Sequence, residues 1–412
     1  MQAFLGIGFL IGLAWIISEA RTDVRWRPVA IGLAIQFVLA LVLLRVPFVS
    51  DTLLLANSLV QAIEQATMAG TDFVFGYLGG GESPFEIGVE GALYIFAFRV
   101  LPQILVFSVL VALFWYWRIL PAIVRAFGAV LRKAMGVGGA VGTAAAASVF
   151  LGMVETPLVV RAYLKSMSRS ELFTLMTCGM STVAGSIMVL YGSVLSQAIP
   201  GALGHIIAAS IINVIGAVFI SRIMIPSIED TTTDTVGDSL SYSSNMDAIT
   251  RGTSDGLRLV VNVGAILIVL VSLVALINQL LGVIDVADAP LTLERMMGWV
   301  FSPVAWLIGI PWQEAQTAGS LLGTKLILNE LVAYLQLAAL PEAALSAPSQ
   351  LVMTYALCGF ANFGSWGIML GGLNTLVPER RDELLNIAPK TLISGTIVNC
   401  NTGAVVAIIG LI

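Results

Sequence analysis

Charge is scarce in this chain of 412 residues: Asp, Glu, Lys and Arg make up 11% of it, against 58% hydrophobic residues. Soluble domains carry about a quarter charged residues. A chain this long and this apolar, with a mean hydropathy of +0.95, must meet lipid over much of its surface. The formal net charge is −5, and no basic stripe exists to neutralise phosphates, which excludes a nucleic-acid partner. Cysteine occurs three times, as Cys178, Cys358 and Cys400. All three lie in apolar stretches without metal-ligand spacing, so they read as small core residues and not as a disulfide framework. The sequence has no P-loop and no nucleophile-plus-base arrangement, which disfavours an ATP-driven pump or an enzyme. Basic residues are missing ahead of Arg21. Without a basic n-region or a small-residue cleavage site, the run from Phe4 to Ile17 reads as a retained first span entering from outside.

Long apolar runs are what the chain has instead. At about 20 apolar residues per span, candidate crossings fall at 3–19, 28–46, 92–117, 171–198, 203–225, 258–284, 349–376 and 391–411. The stretches 138–164 and 309–340 are interrupted by Gly, Pro and charge. They suit re-entrant hairpins, whose irregular tips are tolerated at membrane depth only when buried in protein or facing water. The expected fold is therefore an all-α polytopic membrane protein with about eight crossings and two re-entrant helical hairpins. Residues 51–78 and 118–136 read as amphipathic helices in the membrane plane; the second carries Arg118, Arg125, Arg132 and Lys133 at helical spacing. The clusters at Arg21–Arg27, Arg118–Lys133, Arg161–Arg169 and Arg380–Lys390 fall on one side if both termini face outward, which is the positive-inside pattern. Only the acidic loop 226–251 departs from it.

The two halves echo each other. Glu155 is followed by "TCGMSTVAGSIM" and Glu330 by "ALCGFANFGSWGIM", with Thr182 and Asn362 each four residues past a cysteine. Paired broken helices of this kind point to a transporter's midplane site. The expected organisation is N-terminal spans and an interfacial helix over 1–90, and a scaffold span with an amphipathic helix over 91–136. The first hairpin and broken span follow over 137–226, then an acidic loop and scaffold span over 227–308. The second hairpin, broken span and last span take 309–412.

A carboxylate within such a membrane is a functional candidate by default. Glu155, in "SVFLGMVETPLVV", has no Lys, Arg or His within five residues on either side. Glu330 stands in "GTKLILNELVAY" five residues from Lys325, a poor spacing for a helix-face ion pair; a structural salt bridge is its bland alternative. Asn362 and Ser365 share one helix face at a spacing of three, either as ligands or as interhelical glue. "STVAGS" (181–186) offers Ser181, Thr182, Ser186 and loosened carbonyls around Gly185, which suits a sodium ion or simply close helix packing. His205, the one histidine, and Arg99 read as surface or packing residues.

Taken together, "FRVLPQILVFSVLVALFWYWRILP", "LGMVETPLVVRAYL", "MTCGMSTVAGSIM", "LLGTKLILNELVAY" and "YALCGFANFGSWGIMLGGL" resemble the concentrative nucleoside transporter family, in its order, from about residue 90 onward. The resemblance implies a homotrimer in the cell (inner) membrane that imports nucleosides on a sodium or proton gradient. It also implies an elevator-type transport domain moving against a scaffold made chiefly by the third and sixth spans. Glu330, Asn362 and Ser365 would hold the ribose hydroxyls. Gly152, Met153, Val154 and Glu155 would face the base beside Ile187. Sodium would sit among Ser148, Leu151, Thr182 and Val183, and no other cofactor is implied. The departures matter: many members carry Gly-Gln-Thr-Glu where this chain has Gly152-Met153-Val154-Glu155. Losing two polar contacts weakens ordinary base recognition, since sites built for hydrogen bonds discriminate most sharply. Ser148 stands where sodium-coupled members tend to have Asn, which makes Glu155 a rival proton-coupling candidate. The alternatives are a different hydroxylated cargo on the same fold and, from another class, a non-transporting membrane ligand sensor.

Overall fold

The computed structural model describes residues 1–86, 93, 95–196, 198–226, 241–286, 289–341 and 343–410. Three helices lead: α1 (Gln2–Ile16), α2 (Trp26–Arg45) and α3 (Pro47–Phe75). A first series follows with α4 (Phe96–Arg99), α5 (Gln103–Tyr116), α6 (Ile119–Met135), α7 (Gly139–Ala147), α8 (Glu155–Val159), α9 (Arg169–Ser181), α10 (Gly185–Leu195) and α11 (Ala202–Met224). The second is α12 (Asn245–Leu281), α13 (Leu293–Leu307), α14 (Trp312–Ile327), α15 (Glu330–Ala338), α16 (Ala347–Leu357), α17 (Phe363–Leu376) and α18 (Arg381–Gly410). Two-residue strands at Asp285–Val286 and Ala289–Pro290 form the short link after α12.

The two series repeat one plan. The amphipathic α6 packs on α7, as α13 packs on α14; α10 lies on α11, as α17 lies on α18. The half-helix α9 packs against both α11 and α18, and α16 against α18 and α11; α5 and α12 pack on each other. Burial separates the layers: the α9–α10 stretch is 94% buried in its most apolar window, whereas α12 is 6% buried. So α9–α11 and α18 make the core, and α12 turns a long apolar surface outward.

Six helical stretches among the described residues are long and apolar enough to cross a membrane, at 26–45, 96–116, 169–195, 202–224, 245–281 and 378–410. The shorter α1 and the divided pair α16–α17 complete the eight predicted crossings. Both predicted hairpins form, as α7–α8 and α14–α15. Boundaries moved where polar residues begin a helix. α12 starts at Asn245, capped by Ser244 Oγ accepting from Asp247 N at 3.1 Å, rather than at 258. α18 starts at Arg381 and runs through Pro389, rather than at 391. Of the stretch 51–78 expected to be interfacial, 51–75 belongs to the helix α3 and Gly76–Leu78 forms a 3-10 turn after it. α13 was not anticipated, because its Thr292 cap and internal Pro303 disguise it as loop. The predicted spans and loop include residues 92, 94, 197, 227–240 and 411, which lie outside the described residues.

The basic clusters gather at one end of the bundle. Arg169 donates to Glu19 Oε1 and Oε2 at 2.8 and 3.0 Å, and Lys390 donates to Glu19 Oε1 at 2.7 Å. Arg380 closes on Leu164 O and Met167 O, and Arg222 on Met135 O and Gly136 O. With two cations beside it, the Glu19 carboxyl is held down at about 2.

Candidate substrate and ion site

Four interruptions meet in the core: the hairpin turns 148–154 and 328–329, and the helix breaks 182–184 and 358–362. A helix end leaves backbone carbonyls without intrahelical donors, and in a membrane each must be answered by protein. Two asparagines do so. Asn213 on α11 donates from Nδ2 to Ser181 O (2.8 Å) and Cys358 O (2.7 Å). Asn399 on α18 donates to the same two carbonyls at 2.9 and 2.7 Å. The broken helices thus cross at their C-terminal ends, with Phe360 N donating to Thr182 O at 3.3 Å. Gly359, at φ +152°, is needed there because a Cβ would lie 2.6 Å from Ser181 O. The repeated Cys-Gly pair is out of register with this geometry. Cys178 lies inside α9 while Cys358 is the C-cap of α16, so Thr182 ends one half-helix and Asn362 begins the other.

Lys325 is buried in the last turn of α14. Its Nζ donates to Asn399 Oδ1 at 2.7 Å and Ala356 O at 3.0 Å, and it makes no ion pair with Glu330. The salt-bridge alternative for that pair is therefore set aside. Glu330, the first residue of α15 and 4% exposed, is held otherwise: Tyr191 donates to Oε1 at 2.5 Å and Asn362 Nδ2 to Oε2 at 2.8 Å. Asn362 is the N-cap of α17, its Oδ1 accepting from Ser365 N at 2.7 Å, and Asn329 caps α15 by accepting from Val332 N at 2.9 Å. Each cap fixes a side chain on a rigid helix start.

These groups line a cavity of about 170 Å³. All eight residues expected to touch substrate border it: Gly152, Met153, Val154, Glu155, Ile187, Glu330, Asn362 and Ser365. Its polar groups come chiefly from α15 and α17, and Met153, Val154 and Ile187 add apolar lining together with Leu259, Val263, Ile266 and Leu270 of α12. Glu155 begins the five-residue α8, its carboxylate folded over Gly152, and it takes no part in an ion pair among the described residues. It also borders a second cavity of about 120 Å³, shared with Trp115, Tyr242 and Asp255. The carboxylate therefore stands at the wall between two spaces.

The expected ion ligands lie where the first hairpin meets the first break, joined by Gly185 N donating to Phe150 O at 2.9 Å. Ser148 caps α7 and donates to Ala145 O at 2.8 Å; Thr182 Oγ1 donates to Cys178 O at 2.8 Å. Both hydroxyls thereby spend their proton on their own helix and keep lone pairs for another partner. Leu151 O accepts from Thr156 Oγ1 at 3.3 Å, and Val183 N donates to Ser210 Oγ at 3.4 Å. His205 Nδ1 meets Tyr355 Oη at 3.0 Å, and the two rings sit edge to face.

Sequence reasoning missed Tyr191, Asn329 and Phe360 in the cavity, and Asn213 and Asn399 at the crossing. Tyr191 had a signal: it stands one turn from Ile187 on the same face of α10. The asparagines had none, because a lone Asn in an apolar helix looks like any interhelical contact.

Paired hairpins, helices broken in both repeats and a cavity enclosed between them define a membrane transporter of the inverted-repeat type. Residues 5–78 match the family described as Na+ dependent nucleoside transporter N-terminus, 97–198 that described as nucleoside recognition, and 205–407 Na+ dependent nucleoside transporter C-terminus. The chain is 36% identical over 412 residues to the uncharacterized transporter YutK of Bacillus subtilis, covering 98% of each chain. It is 34% identical to the nucleoside permease NupC of Helicobacter pylori, covering 96% of this chain and 94% of that one. A solved structure of CNTnw in an inward-facing substrate-bound state superposes with a TM-score of 0.91 at 36% identity, over 99% of this chain and 98% of that one. The chain belongs to the concentrative nucleoside transporter family. It is a transporter and not an enzyme.

Proposed function

We propose that this chain is a secondary active symporter that imports nucleosides on a sodium gradient. In this reading the two hairpins and broken helices move as an elevator against a scaffold led by α5 and α12. The observation that carries it is the Glu330 carboxylate, clamped by Tyr191 and Asn362 among the polar groups of the cavity. A carboxylate so fixed, with Ser365 beside it, presents acceptors to paired hydroxyls, as a ribose offers. The apolar lining then receives the base, edged by Gly152 and Glu155. Sodium as coupling ion is supported by the family's own description and by the spare lone pairs of Ser148 and Thr182, with Leu151 and Val183 adding backbone oxygens. The outward apolar length of α12 supports contact with lipid or with the other copies of a homotrimer. The basic end of the bundle supports a cytoplasmic face there, with both termini outside the inner membrane.

Met153 and Val154 favour a second reading on the same fold, a hydroxylated cargo other than the common nucleosides, because they offer the base side no hydrogen bond. Glu155, bordering two cavities, supports proton coupling as the rival. Purified protein in proteoliposomes, with a sodium or a proton gradient imposed separately, tests all three. Uridine or adenosine uptake driven by sodium alone is the expected result. Uptake driven only by protons moves the coupling to Glu155, and no nucleoside uptake under either gradient overturns the cargo assignment.

A further inference from the structure

The repeat plan pairs α7 with α14, α9 with α16 and α11 with α18. Their C-caps, Ser148 and Leu328 on the hairpins, align Lys325 with Ala145, each three residues before its cap. The same plan pairs Asn399 with Asn213. In the second repeat the Lys325 ammonium sits on Asn399 Oδ1 at 2.7 Å. In the first, Asn213 spends both Nδ2 hydrogens on Ser181 O and Cys358 O, which fixes the amide's orientation because both partners are acceptors. Its Oδ1 is left fully buried without a hydrogen-bond partner among the described residues. A buried amide oxygen without a donor or cation is costly. It stands one turn from Ser210, whose Oγ accepts from Val183 N, so this face of α11 looks onto the first helix break. The ends of α9 and α16 that converge here are C-terminal and carry partial negative charge. One has the Lys325 amine within hydrogen-bond reach; the other has alanine at the matching place.

We infer that Asn213 Oδ1 is a ligand of the coupling cation in the first repeat, and that the Lys325 ammonium is its covalently tethered counterpart in the second. This rests on the reading that the first repeat binds the coupling cation, and it adds a ligand and a symmetry partner to that reading. The two crossing ends then require charge of the same sign, one supplied by synthesis and one by the sodium gradient. An amide oxygen is a suitable donor for a hard cation.

Thermal unfolding of the purified full chain, titrated with NaCl at ionic strength held constant by choline chloride, tests it. Asn213→Ala and Asn399→Ala remove donors from the same two carbonyls, so the loss at those carbonyls is matched, and the sodium midpoint is compared rather than the stability itself. The inference expects Asn213→Ala to need at least about tenfold more sodium for half its stabilisation, while Asn399→Ala keeps the parental midpoint. Lys325→Ala, which makes the second repeat resemble the first, should gain a larger sodium response than the parent, and Lys325→Arg should match the parent. Equal midpoint shifts in the two asparagine variants, or a parental response in Lys325→Ala, overturn the inference while leaving cation coupling intact. A parent indifferent to sodium overturns the cation reading itself. Should Lys325→Ala be lost on extraction, recovery of folded protein in NaCl but not choline chloride supports the assignment, and loss in both overturns it.

Discussion

Hairpin α7–α8 brings Met153 and Val154 to the cavity, and hairpin α14–α15 brings Asn329 and Glu330. The backbone plan is shared, and each hairpin's second helix begins with a carboxylate, Glu155 or Glu330. The second repeat, however, places Lys325 and the capping Asn329 and Asn362 where the first has Ala145, Val154 and Ala184. A hydrogen-bonded network fixes position to within tenths of an ångström and penalises any ligand that leaves it unpaired. An apolar wall accepts many shapes at modest loss. On the proposed function, the comparison teaches that orientation and selectivity are separable here: the second repeat would hold the cargo still, and the first would decide how varied it can be.

The largest expected effect lies at the crossing, where the repeats differ in what Oδ1 meets. Asn399→Ala should destabilise by about 4 kcal/mol, since two carbonyls and a buried ammonium lose partners; Asn213→Ala should lose about 2 kcal/mol. Chemical or thermal unfolding in one detergent compares them, and equal losses would erase the asymmetry. Next come the polar groups of the cavity. Glu330→Gln should weaken nucleoside binding by at least about 100-fold, and Met153→Ala by less than about tenfold, read by calorimetry; similar losses would show that both repeats orient the cargo. Met153→Gln with Val154→Thr should move preference among common nucleosides by about tenfold, read as competition in uptake. An unchanged profile means those side chains do not face the base.

The smallest effect lies outside the cavity, at Glu19. Glu19→Gln should cost about 1 kcal/mol at neutral pH, as exposed ion-pair networks do. The folded carboxyl is depressed from 4.5 to about 2, so its contribution is present above 4.5 and is lost as pH falls through about 2. A pH series of unfolding for both proteins should therefore converge at low pH.

Much of the site was legible because ionisable residues are conspicuous in apolar runs. Glu155, Glu330 and Asn362 stood out against lipid-compatible neighbours, and glycines marked the breaks around them. The partner of Lys325 was not legible: Asn399 lies 74 residues away on another helix, and the nearer Glu330 was the obvious candidate. Tyr191 could be placed from its spacing to Ile187, but its hydroxyl's partner could not, since Glu330 lies 139 residues away on another helix. α13 escaped because hydropathy finds helices that cross, while a helix that supports a hairpin from the side needs only one apolar face.

The grip of Asn399 on Ser181 O spans 218 residues of sequence. A ribosome therefore delivers the end of α9 long before the side chain that completes its closure. Through that interval Asn213 alone, already on the neighbouring α11, can shield the exposed carbonyl, and the α16 end must arrive at a seat half prepared. Insertion of α18 is then the event that locks the earlier helices. Interrupting synthesis before that helix would leave a chain with most of its spans in place and no fixed centre, a natural substrate for membrane quality control.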